Sequence, residues 1–89
     1  MDLWTMIKAG SLPHVCLLPA TAMRPEVGTV FVHAPWSAPS VIALQEVVQA
    51  CQRNLFVVDI DDAPAWVGDD FGVLSGKGES KSYGVEDKA

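Results

Sequence analysis

Two serines, Ser37 and Ser40, follow His33 closely in the run Val30-Phe31-Val32-His33-Ala34-Pro35-Trp36-Ser37-Ala38-Pro39-Ser40. A serine with a histidine at hand is the raw material of a nucleophile and its base. His33 and His14 are the only histidines, however, and no motif sets either as the base for a serine. The plainer expectation for Ser37 is a helix cap, whose side-chain oxygen accepts from an early helical N–H. Trp36, next to it, is either a contact residue, since aromatic side chains are enriched at interface hot spots, or a side chain packed over the helix start. Trp66 poses the same choice.

Cys16 and Cys51 lie far apart in the chain, with no second Cys or His pair at metal spacing, so neither a zinc site nor a local redox dithiol is written here. Both are expected to be buried small hydrophobes. Between Asp59 and Asp70 stand Asp59, Asp61, Asp62, Asp69 and Asp70 with no Lys or Arg among them. The stretch Asp59-Ile60-Asp61-Asp62-Ala63-Pro64 lacks the glycine and glutamate of a Ca²⁺-binding EF-hand loop, so no metal is expected. The choice is between a solvated loop and an electrostatic surface that steers a basic partner.

The elements that must position these residues follow from periodicity. Leu3 to Ala9 predicts a short amphipathic helix capped by Asp2 and stopped by Gly10. Val15-Cys16-Leu17-Leu18, closed by Pro19, is a short strand or a buried extended segment. Ala20 to Gly28 is a connection. Thr29 to Ala34 is apolar and β-branched without alternation, as in a strand covered on both faces. A helix follows, with Ser37 as its cap and Pro39 tolerated in its first turn. Val41, Leu44, Val47, Val48 and Cys51 form its inward stripe, and Gln45, Glu46, Gln49, Gln52 and Arg53 its outer side. Asn54 ends it, and Leu55 to Ile60 is a second buried strand, which completes a βαβ unit with a right-handed crossover. Beyond lie a helix start at Ala63 to Val67, an apolar segment Phe71-Gly72-Val73-Leu74, a turn Ser75-Gly76-Lys77-Gly78, an antiparallel edge strand Glu79 to Val85, and a loose tail Glu86 to Ala89.

The 89 residues suit one domain with one core, and a composition of 49% hydrophobic and 19% charged residues is that of a packed fold. A formal charge of −5 without a basic face argues against nucleic acid as a partner. No apolar run approaches the ~20 residues of a membrane span, and the start Met1-Asp2-Leu3-Trp4 lacks the features of a signal peptide, so the expected compartment is the cytoplasm.

The string from Val30 to Ser40 resembles the active-site strand and turn of the thioredoxin-like family, in which an apolar strand runs into A-x-W-C-G-P-C at a helix start. Val58-Asp59-Ile60-Asp61-Asp62-Ala63-Pro64 is similar to that family's next strand and D-x-x-P loop, and Phe71-Gly72-Val73 to its later [YF]-G-[VI]. The resemblance covers about Val30 to Val73. It implies a three-layer α/β/α fold: a small mixed sheet with a central right-handed βαβ unit and an antiparallel edge strand. The single domain would comprise a poorly matched N-terminal segment over 1–28, a thioredoxin-like core over 29–74, and an edge strand and tail over 75–89.

The departures carry the functional expectation. Ser37 and Ser40 stand where the family has its thiols, and a hydroxyl supplies no low-pKa thiolate to attack a disulfide. Phe31 stands where the family buries a proton-moving acid, and Gly76 and Lys77 where it places a cis-proline. The expected function is therefore redox-inactive, noncatalytic protein binding, with no cofactor and no catalytic residue. The expected contact residues are Pro35, Trp36, Ser37 and Ser40 on the turn, and Asp61, Asp62, Trp66, Asp69 and Asp70 on the acidic stretch. An immunity-type inhibitor, an accessory subunit and a chaperone all fit this class, with a protein partner of basic surface. The alternatives are a thiol oxidoreductase using Cys16 and Cys51, another enzyme reusing the fold, or a structural oligomer subunit.

Overall fold

Residues in a strand point alternately to opposite faces of the sheet, so an apolar strand without alternation needs cover on both sides. The computed structural model, which describes residues 2–51, 54–71 and 79–83, supplies that cover. Its elements are α1 (Leu3–Lys8), β1 (Val15–Leu18), β2 (Gly28–His33), α2 (Ala38–Ala50), β3 (Leu55–Asp59), a 3₁₀ turn (Ile60–Asp62), α3 (Ala65–Phe71) and β4 (Glu79–Tyr83). The four strands form one sheet in the order β1-β3-β2-β4. β3 pairs in parallel with β1 and with β2, and β4 closes the other edge antiparallel to β2.

Alternation sorts the core into two clusters. Phe31 of β2, Leu55 and Val57 of β3 and Val15 of β1 meet Ile7 of α1 and Leu44 of α2 on one face. Val30, Val32 and Val58 meet Val67 of α3 on the other. The chain is thus a small α/β domain with α1 and α2 on one side of the sheet and α3 on the other. Full burial of one such aliphatic side chain contributes roughly 1.5–3 kcal/mol, so these two clusters carry the apolar stabilisation of the sheet on both faces.

The local signals act as their chemistry requires. The Asp2 carboxylate accepts from the backbone N–H of Thr5 at 2.8 Å and caps α1. Gly10, just past that helix, adopts φ +73, a conformation open to glycine. Gly28 has φ +102, and a Cβ there would fall 2.5 Å from the carbonyl oxygen of Asn54. That carbonyl accepts from Thr29 at 3.0 Å, so the close approach sets where β2 and β3 begin to pair. α2 ends at Ala50, before Asn54, which takes the left-handed conformation (φ 52) as the chain turns into β3.

Val15 to Leu18 resolves as a strand, and the edge strand is present from Glu79 to Tyr83. Within the inward stripe of α2, Leu44 is buried, and Val47, Val48 and Cys51 are partly buried against the core. Val41 is exposed: it follows the buried Ser40 and borders a cavity rather than the sheet core. Gly72-Val73-Leu74, the turn Ser75 to Gly78, Gly84 and Val85, the tail from Glu86, and Gln52 and Arg53 lie outside the described residues.

Candidate functional site

β2 and β3 run in parallel with His33 opposite Asp59, so the chain segments that leave them emerge at the same end of the sheet. The first is the turn Pro35 to Ser37. It is tight: the N–H of Ser37 donates to the carbonyl of Ala34 at 3.0 Å, and the N–H of Val41 to that of Ser37 at 3.0 Å. Ser37 has the extended backbone of an N-cap, but its hydroxyl makes no capping bond. The expectation of a side-chain cap is corrected here, and Pro39 in the first turn removes one of the donors that such a cap would satisfy.

Ser40 takes the more consequential role. It is fully buried, so it contributes nothing to an outer contact surface. Its Oγ accepts from the backbone N–H of Ala34 at 2.9 Å and lies 2.9 Å from Nδ1 of His33, which is also fully buried. A hydroxyl has one proton, and Nδ1 is the acceptor in reach, so donation from Ser40 to Nδ1 satisfies the serine completely and leaves the imidazole proton on Nε2. The opposite assignment would strand the serine proton as well. Burial lowers the pKa of His33, against an upward pull from the Asp59 carboxylate, which favours the neutral ring. This dyad joins two of the residues whose types suggest serine chemistry. Its hydroxyl is fixed between a backbone donor and the ring's inner nitrogen, and it lies in the core.

Between these buried ends the turn presents Trp36, which is 65% exposed. Pro35 beside it is half-buried. Ile42, in the first turns of α2, is 59% exposed and adds apolar surface next to the turn in sequence. The choice posed for Trp36 is answered in favour of exposure, because the turn is closed by backbone bonds and by Ser40 rather than by the indole.

The acidic stretch is three pieces rather than one loop. Asp59 ends β3, and its carboxylate accepts from the N–H of Asp61 at 2.9 Å, capping the 3₁₀ turn. Asp61 and Asp62 are exposed on that turn, whereas Asp69 and Asp70 lie near the end of α3. Trp66 is half-buried against the α3 cluster, and its Nε1–H donates to the carbonyl of Ala22 at 2.9 Å. It holds the 20–28 connection to α3, a structural use that no local pattern announces. Among the described residues no group of three His, Cys, Asp or Glu is arranged to hold a metal ion, and no helix is long and apolar enough to cross a membrane.

Both cysteines are free. Cys51 is half-buried against the core at the end of α2, as expected of a small hydrophobe. Cys16 is exposed, which corrects the expectation of burial: β1 is an edge strand, and the α3 cluster reaches Leu18 but not Cys16. Compared with known proteins, the chain matches no family model, no curated protein and no solved structure.

Proposed function

We propose that this protein is a noncatalytic protein-binding module with a redox-inactive thioredoxin-like framework, and that its contact face is the turn around Trp36 flanked by Asp61 and Asp62. The observation that carries the reading is the exposure of Trp36 on a turn fastened at both ends by buried groups, Ala34 and Ser40. A turn fastened in this way presents the indole on a backbone that need not be ordered on binding, which lowers the cost of using it as an aromatic anchor. The aspartates of the 3₁₀ turn stand at the same end of the parallel strands and suit a partner with basic residues around an apolar pocket. The parallel βαβ unit with an antiparallel edge strand agrees with the resemblance of Val30 to Val73, and the serines in place of its thiols support binding without exchange chemistry.

Photocrosslinking tests this. A photoreactive side chain at position 36 should give an adduct in cells that excess unlabelled protein competes away and excess Trp36→Ala protein does not. The same group at Gln49, exposed farther along α2, should give no such adduct. Equal competition by both proteins, or the same adduct from position 49, overturns the assignment of the face.

A further inference from the structure

Beneath the Trp36 turn, α1 leaves a gap against the end of β2 and the start of α2. The result is a cavity of about 160 Å³, walled by Leu3, Trp4, Pro35, Val41 and Leu44, with His33 as the one fully buried polar residue in its lining. The indole of Trp4 lies against the imidazole, with ring centroids 4.8 Å apart and planes tilted by 58°. Nδ1 of that imidazole is engaged by Ser40, and Nε2 is buried without a hydrogen-bond partner. A buried donor left unmatched costs about 1–3 kcal/mol, so the ring gains by meeting an acceptor; Nε2 has no accessible surface, and an acceptor in the cavity meets it only as the wall around it shifts. The remaining polar linings are the exposed residues Asp2 and Gln45.

These features define a ligand. An apolar cavity near 150 Å³ holds a molecule of about the size of benzene. An aromatic wall and aliphatic neighbours select a flat apolar body, and Nε2–H selects one acceptor on it. Asp2 on the lining, and Asp59 opposite His33 in the sheet, disfavour a negative charge. The geometry points to a binding site for a small neutral monocyclic compound that carries a single carbonyl-type acceptor, received by His33 Nε2 with Trp4 against the ring. This rests on the cavity and not on the partner-binding reading, and either can fail without the other.

The test is a titration of the full-length ¹⁵N-labelled protein by NMR with three probes of similar shape: acetophenone, toluene and benzoate. Acetophenone should give saturable shifts at the amides of Leu3, Trp4 and Leu44 and move the His33 Nε2 resonance. Toluene, which lacks the acceptor, should bind about three- to tenfold more weakly, the range for one neutral hydrogen bond. Benzoate should bind more weakly than acetophenone. Val41→Trp, a change at an exposed wall position, should fill the cavity and abolish the acetophenone shifts while the rest of the spectrum persists. Equal affinity for acetophenone and toluene, an unmoved Nε2 resonance, shifts that survive Val41→Trp, or no saturable shift at all overturns the proposal.

Discussion

The hydroxyl of Ser40 lies 2.9 Å from Nδ1 of His33, so one side chain in the first turn of α2 holds the last residue of β2 and, through the Ala34 N–H at 2.9 Å, the chain just beyond it. The strand-to-helix junction is thus closed by a buried polar contact. The exposed turn between these residues takes its shape from it.

Removing that hydroxyl leaves a buried backbone donor and a ring nitrogen unmatched. Ser40→Ala should therefore lower stability by about 2–6 kcal/mol, one desolvation penalty of about 1–3 kcal/mol for each of the two orphaned groups. Ser37→Ala, whose hydroxyl makes no capping bond, should cost under about 0.5 kcal/mol. Urea unfolding of the two variants at neutral pH makes the comparison, and equal losses would show that the dyad does not hold the junction.

His33 sets a pH dependence whose sign follows from its burial. Its folded-state pKa lies below the ordinary value of 6.5, so the unfolded chain binds the extra proton more readily. Its contribution is fully present above about pH 6.5 and is lost as pH falls toward the folded-state value, by at most about 1.4 kcal/mol per pH unit for one proton. Unfolding free energies between pH 7.5 and 5 should decline for the wild type, and more gently for His33→Gln. Parallel slopes would remove His33 as the cause.

The thioredoxin resemblance makes a chemical prediction at the same junction. The protein should not reduce insulin disulfides, because neither Ser37 nor Ser40 supplies a thiolate. Ser37→Cys with Ser40→Cys should form an intramolecular disulfide in air, since residues three apart at a helix start lie within bridging range. Thiol titration and mass spectrometry on a background of Cys16→Ser and Cys51→Ser would read this directly. A double variant that stays reduced under glutathione disulfide counts against the resemblance.

The proposed contact face predicts two separable kinetic effects once a partner is in hand. Asp61→Asn with Asp62→Asn should slow association and flatten its salt dependence, because attraction between exposed charges is screened over ~8 Å at physiological ionic strength. Trp36→Ala should act mainly on dissociation, with a loss of about 2 kcal/mol if the indole is an anchor. Binding rates at two salt concentrations, beside circular dichroism to check the fold, distinguish the two. Rates unchanged in both variants would place the interface elsewhere.

β2, β3, α2, the Asp2 cap of α1 and the edge position of β4 are legible in the amino-acid order, because apolar periodicity, capping chemistry and turn residues act within a few positions of one another, whereas Val15 to Leu18 is left open between a strand and a buried extended segment. The βαβ unit followed from the two continuous apolar strands on either side of an amphipathic helix. What the order could not show was which groups meet across the fold. Ser40 reads as a surface residue of an early helical turn until α2 packs back on β2 and brings it to His33. Trp66 reads as a contact residue until its Nε1–H finds the carbonyl of Ala22, 44 residues earlier. Cys16 reads as core until the strand order puts β1 at an edge. The cavity beside Trp4 and His33 depends on how α1 sits against β2, an outcome of packing between segments far apart in the chain. Local pattern determines an element and its inward face, whereas burial of a polar group or exposure of an apolar one depends on what the other elements bring to it, and only tertiary structure decides that.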